Sequence, residues 1–158
     1  MEKAIVRKDS DKIGIKIWEI IAGLGIIALI VLTALSCASP PGDAAKLPGV
    51  TWVLKSYGDA AQPIQAIAGH QPTLVFNKEK MTIGGNGGVN SYGGDYVLNG
   101  DKLTLSGIIQ TEMASTNPAL NTQENTFFRI LGSALSFKIA GGQLTITGTE
   151  DVLVFSQQ

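Results

Sequence analysis

The chain has 158 residues, with 12 Lys and Arg against 13 Asp and Glu, for a formal net charge of −1. That length predicts one domain plus a further segment, and the balanced charge excludes the broad basic field that nucleic-acid binding requires. A single cysteine, Cys37, and a single histidine, His70, exclude an internal disulfide, a cysteine-rich zinc site and most other metal centres.

Residues 1–19 mix five basic with four acidic side chains, and Ile20–Leu35 then runs without a charge to Ser36-Cys37. A cationic start, an apolar run and small residues at a junction describe a secretory signal. The cysteine at that junction resembles a bacterial lipoprotein signal, which implies that Cys37 is acylated and becomes the mature N-terminus. The order Ala34-Leu35-Ser36-Cys37 departs from the usual leucine, small residue, Gly or Ala, Cys. The competing reading is an uncleaved membrane helix over 20–38, close to the ~20 residues that span a bilayer core. In both, residues 1–37 are the signal peptide or anchor. The membrane is a partner through this segment or through lipid on Cys37, and residues 38–158 are extracytoplasmic in the cell envelope. Ala38–Leu47, with Pro40-Pro41-Gly42, reads as a linker.

The folded part is expected from 48 to 158. Thr51–Tyr57 alternates with Trp52 and Leu54 on one face, and Thr73–Phe76 with Leu74 and Phe76 inward. Gly58–Gln71 is a loop with a short extended piece at 64–67. Met81–Ile83 leads into a stretch from Gly84 to Gly94 holding six glycines, read as an irregular connection or a set of bulges. No lysine follows it and no helix opens after it, which argues against a phosphate cradle. Asp95–Leu98 and Lys102–Ser106 flank the turn signal Asn99-Gly100-Asp101, and Ile108–Met113 reads as a separate strand. Asn121 with Glu124 resembles a capping box opening a helix of about ten residues, with Phe127, Phe128, Ile130 and Leu131 as its apolar face. Leu135–Ala140 and Gln143–Gly148 form a hairpin about Gly141-Gly142, and Val152–Phe155 is the last strand. The fold class is therefore α+β, mostly β: a strongly twisted antiparallel sheet of seven or eight short strands and one short helix.

No catalytic constellation emerges. His70 sits in a loop without a neighbouring nucleophile, and no Gly-x-Ser-x-Gly elbow exists. Acidic residues are scattered among turns, where paired carboxylates of a hydrolase would have to be assembled by the fold. Tyr57, Tyr92, Tyr96, Phe127, Phe128 and Met113 are expected in the core or at its rim.

Gly88-Val89-Asn90-Ser91-Tyr92 followed by Gly94-Asp95-Tyr96, and Thr111-Glu112-Met113-Ala114-Ser115 further on, resemble two motifs of the META domain (heat-shock protein HslJ-like) family, Gly-Cys-Asn…Gly-x-Tyr and Thr-x-Met-Ala-Cys. The resemblance covers about residues 48–158. It marks Gly88, Asn90, Tyr92, Tyr96, Thr111 and Met113 as motif residues and implies a partly open β-barrel without an established reaction or cofactor. Val89 and Ser115 stand where the family often has cysteine, which suggests that the two positions are neighbours. The expected function is a non-catalytic, envelope-anchored protein serving stress resistance or envelope maintenance by binding an unidentified envelope protein. The alternative is a carrier of a lipid or other small apolar ligand. No metal and no nucleic acid is expected.

Overall fold

The computed structural model describes residues 43–158. The signal or anchor segment and Cys37 lie outside the described residues. Nine strands form one antiparallel sheet: β1 (Thr51–Gly58), β2 (Ile64–Gln65), β3 (Thr73–Asn77), β4 (Thr82–Asn86), β5 (Ser91–Asn99), β6 (Lys102–Gln110), β7 (Ser136–Ala140), β8 (Gln143–Thr147) and β9 (Val152–Gln157). The order is β2-β1-β3-β4-β5-β6-β7-β8-β9, and β9 also pairs with β1, so the sheet closes into a ring. The ninth strand is the two-residue β2, which falls within the extended piece expected at 64–67.

Alternation puts one side chain in two inside the ring. Trp52, Leu74, Phe76, Leu103, Leu144, Ile146 and Phe155 are fully buried there. Each such side chain contributes roughly 1.5–3 kcal/mol by leaving water. Leu47, assigned to the linker from sequence, is also fully buried and accepts the Trp52 indole N–H at 3.1 Å. The folded unit therefore includes Asp43–Leu47. Lys46 and the Ile139 amide both bond the Asp43 carboxylate and hold its pKa below the ordinary value.

Two sequence readings are corrected. Most of the glycine-rich stretch is strand, since β4 runs to Asn86 and β5 starts at Ser91, leaving only Gly87–Asn90 as connection. The expected separate strand at 108–113 is not separate: 108–110 are the end of β6, and 111–113 belong to no strand. The register slips between Gly93 and Asp95 opposite Ser106–Ile109, with Gly107 at φ +60°. This bulge breaks the alternation, so Leu103 and Leu105 face inward and Ile109 outward without any end to the strand.

The helix, α1, spans Pro118–Gly132, fifteen residues, and does not begin at Asn121. Asn117 is its N-cap, accepting from the Ala119 amide at 3.0 Å, and Pro118 occupies the first turn where no amide is needed. Asn121 is then inside the helix, and Glu124 is not a capping acid. The helix buries Leu120, Gln123, Glu124, Phe127, Ile130 and Leu131 and packs on β1, β6 and β9. β6 pairs with β7 only at Lys102–Ser136. Among the described residues no helix is long and apolar enough to cross a membrane.

Candidate functional site

Three connections meet at the N-terminal half of α1: Ile67–Gln71, Gly87–Asn90 and Thr111–Ser115. Each is fastened to the helix or to its neighbour by a side-chain amide or carboxylate. Gln123, fully buried, accepts the Ile67 amide at 2.7 Å and donates to the His70 carbonyl at 2.7 Å. Asn121 accepts the Ser115 amide at 2.9 Å and donates to the Ser115 carbonyl at 2.8 Å. Both side chains use their two ends as a strand partner would, satisfying backbone groups that irregular segments leave unpaired.

Asn90 and Glu124 form the centre. Asn90 is 3% exposed and Glu124 4%. Glu124 Oε1 accepts the amides of Val89 at 3.0 Å and Asn90 at 2.6 Å, and Oε2 accepts Asn90 Nδ2 at 2.6 Å. The second Nδ2 hydrogen goes to the Met113 carbonyl at 2.9 Å. Asn90 Oδ1 accepts the Met113 amide and the Thr111 hydroxyl, both at 2.8 Å. All four hydrogen-bonding positions of the Asn90 amide are filled, which the two-donor, two-acceptor inventory of asparagine allows and no other residue of that size matches. Gly87 makes room for this arrangement: a Cβ there would lie 2.6 Å from Glu124 Oε1 and 2.8 Å from the Phe128 ring.

The motif residues thus divide. Asn90, Thr111 and Met113 come together in one cluster. Gly88, at φ +109°, lies against the His70 carbonyl and Gln123. Tyr92 is buried in the core, edge-on to Phe127 and Phe128, with its hydroxyl donating to the Thr73 carbonyl at 2.8 Å. Tyr96 packs edge-on to Phe76 away from the cluster. Met113, expected in the core, is 61% exposed and takes part through its backbone. His70 is exposed and takes part through its carbonyl.

Sequence reasoning missed Gln123 and Glu124 as site residues. The signal was present: both fall on the stripe Leu120, Phe127, Ile130, Leu131, where the helical period places apolar residues. A polar residue on a buried stripe calls for a partner.

Outside this cluster, between the end of β6 and α1, lies an open cleft of about 400 Å³. Its walls are the segment 110–114 on one side and Asn121, Glu124 and Asn125 on the other. Among the described residues Glu112 and Glu124 are its only charged ones, and no lysine or arginine lines it. Among the described residues no group of three His, Cys, Asp or Glu side chains is placed to hold a metal ion. Glu124 is committed to three donors, an arrangement suited to holding loops rather than to carrying protons.

Val89 and Ser115 are both tied to this helix turn, through Glu124 and Asn121 respectively. Residues three apart on a helix have Cβ atoms about 5–6 Å apart. The Val89→Cys, Ser115→Cys double variant is therefore expected to form a disulfide on mild oxidation, checked by intact mass before and after reduction. Failure to bridge would count against contact, since bridging needs Cα atoms within about 7 Å.

A family model for the META domain matches residues 45–158. An NMR structure of a protein from Burkholderia xenovorans is similar at 22% identity and a TM-score of 0.62, covering 75% of this chain and 88% of that one. A second protein solved by NMR shares 27% identity with a TM-score of 0.56, covering 71% and 92%. A crystal structure of a DUF4847 family protein from Bacteroides vulgatus shares 14% identity with a TM-score of 0.50, covering 73% and 96%. No curated protein matches the chain.

Proposed function

The chain belongs to the META domain family, and from that membership we propose a non-catalytic binding module, held at the cell envelope by residues 1–37, that serves stress resistance or envelope maintenance. The observation that carries the binding role is the cleft beside β6. Past Leu103, whose amide donates to the Leu135 carbonyl at 3.1 Å, β6 has no strand partner on its outer side among the described residues. The cleft at its end presents the backbone of Glu112 and Ala114, which lies outside the bonds made to Asn90, opposite Asn121 and Asn125. An extended peptide lying there would meet donors and acceptors along its own backbone, as in strand addition. Glu112, exposed on the cleft wall, favours a segment carrying lysine or arginine.

The carrier reading has less support. The ring interior is occupied by Trp52, Phe76, Phe127 and Phe155, each at most 1% exposed. The hydrolase reading gains a shared cleft for Glu112 and Glu124 but loses one carboxylate to its three donors.

The test is a photoreactive residue at Ala114 in the full chain, expressed in cells and followed by envelope fractionation. The expected result is envelope-bound protein crosslinked to one defined protein, with the adduct reduced when Glu112 is changed to Gln. A cytosolic protein, or no adduct from 114, would overturn the reading. Intact mass of the extracted protein separates the two anchors: acyl mass on a chain starting at Cys37, or an unlipidated chain that retains residues 1–36.

A further inference from the structure

Of the six glycines between Gly84 and Gly94, four are demanded by the fold. A Cβ on Gly85 would sit 2.1 Å from the Thr73 carbonyl oxygen, one on Gly87 would strike Glu124 and Phe128, and one on Gly94 would lie 3.0 Å from the Ser106 carbonyl oxygen. Gly88 has a positive φ. Gly84 and Gly93 are different. A Cβ on either would meet nothing closer than 3.5 Å and 3.6 Å, ordinary contact distances, and neither has a positive φ. Glycine is a poor strand residue, so two sites with room for a side chain carry none.

These two glycines are direct cross-strand partners. They lie on the outer face, because their neighbours Ile83 and Tyr92 point inward and are buried. Gly84 pairs on its other side with Val75, and Gly93 with Ile109. Val75 is 38% exposed and Ile109 75%. The result is a bare floor of peptide planes two strands wide between two aliphatic walls. The walls are three strand spacings apart, about 14 Å between Cα atoms. A groove of about 290 Å³ lies at the β5–β6 end of this row. On the outer face, the adjoining pairs are Asn86–Ser91 on one side and Thr82–Asp95 with Ser106 on the other, so among the described residues Asp95 is the only charge in the pairs beside the floor.

We propose that the Gly84–Gly93 floor is a docking site for a planar aromatic side chain of a protein partner, with a lysine or arginine two residues along its chain reaching Asp95. Aromatic rings cover bare sheet glycines by stacking on the peptide planes, and the walls of Val75 and Ile109 flank one ring. The charge fixes the rest of the partner: the lone carboxylate favours a cationic neighbour and disfavours phosphate or an anionic lipid. Gly93 to Asp95 is about 7 Å, the i to i+2 spacing of an extended chain. This inference rests on the protein-binding reading but uses other residues, so crosslinking from Ala114 tests that reading and the titration below tests this one.

The experiment is an NMR titration of the isotope-labelled full chain in detergent micelles with the probe Ac-Trp-Thr-Lys-NH2, against Ac-Leu-Thr-Lys-NH2 and Ac-Trp-Thr-Glu-NH2. Saturable amide shifts at Gly84, Gly93 and Ile109 are expected for the first probe, with at least fivefold weaker binding of the other two. Gly93→Val is expected to abolish binding while raising Tm, and Asp95→Asn to bring the Lys and Glu probes to equal affinity. Equal binding of the Trp and Leu probes, or shifts elsewhere, would overturn the proposal. So would a Gly93→Val or a Gly93→Ala variant with lowered Tm, since the glycine would then be structural.

Discussion

Replacing Glu124 by alanine is expected to lower the free energy of unfolding by about 3–5 kcal/mol, because it strips a buried site of its acceptor and leaves the donors in place. The amides of Val89 and Asn90 and one hydrogen of Asn90 Nδ2 would all lose their partner at once. Asn90 cannot turn over to compensate. Its Oδ1 already holds the Met113 amide and its Nδ2 the Met113 carbonyl, and rotation would set donor against donor at the first and acceptor against acceptor at the second. Water has little access to a site where both side chains are at most 4% exposed. Glu124→Gln keeps an oxygen for the two backbone amides but opposes its own NH2 to Asn90 Nδ2, at a cost of about 1–2 kcal/mol. A small domain is stable by only about 5–15 kcal/mol, so the alanine variant removes a large share of the total. Urea denaturation of the two variants against the parent checks this. An alanine variant within 1 kcal/mol of the parent would show that the three connections hold themselves in place without the carboxylate.

What was legible in the sequence follows from how local each signal is. Trp52 and Leu54, Leu74 and Phe76, Leu103 and Leu105 announce their strands because alternation is written within a few residues. The hairpin turns at Gly100 and at Gly141-Gly142 are legible for the same reason, and all three glycines have positive φ. The Gly107 bulge was not, because one extra residue shifts the inward face from Leu105 to Ile108 and looks like the end of a strand. The helix cap is Asn117, four residues before the Asn121 of the capping-box reading, because Asn121…Glu124 matches that pattern locally and only the fold shows that Glu124 faces Val89 and Asn90. Those contacts join residues 34 and 35 positions apart, a separation that no periodicity encodes. The family resemblance named Asn90, Thr111 and Met113 as motif residues without their roles. The structure supplies a role: one asparagine amide bonds to the connection after β6, and the helix acid holds that asparagine. Burial of Glu124 and Gln123 could have been inferred from the helix stripe, but their partners could not.

Raising the pH above 10 is expected to unfold the protein progressively, with Tyr92 as the main cause. Its hydroxyl is buried beneath α1, and burial raises its pKa well above the ordinary value of 10.0. Below that value both folded and unfolded chains keep the proton, and the group adds no pH dependence. Above it the unfolded chain releases the proton while the folded chain retains it. Stability therefore falls as pH rises, by about 1.4 kcal/mol per pH unit for one fully coupled proton. Burial raises Tyr57 and Tyr96 in the same direction, which steepens the loss. Tyr92→Phe separates titration from packing. It keeps the ring against Phe127 and Phe128 but leaves the Thr73 carbonyl without its hydroxyl donor, so it is expected to be about 1 kcal/mol less stable at pH 7. Its stability should then fall less steeply above pH 10, and the two curves should cross, leaving the phenylalanine variant the more stable protein in strong alkali. Urea unfolding of both proteins from pH 7 to 12 measures the slopes. Parallel curves would mean that Tyr92 ionises freely in the folded state, which a hydroxyl sealed between the helix and β3 cannot do.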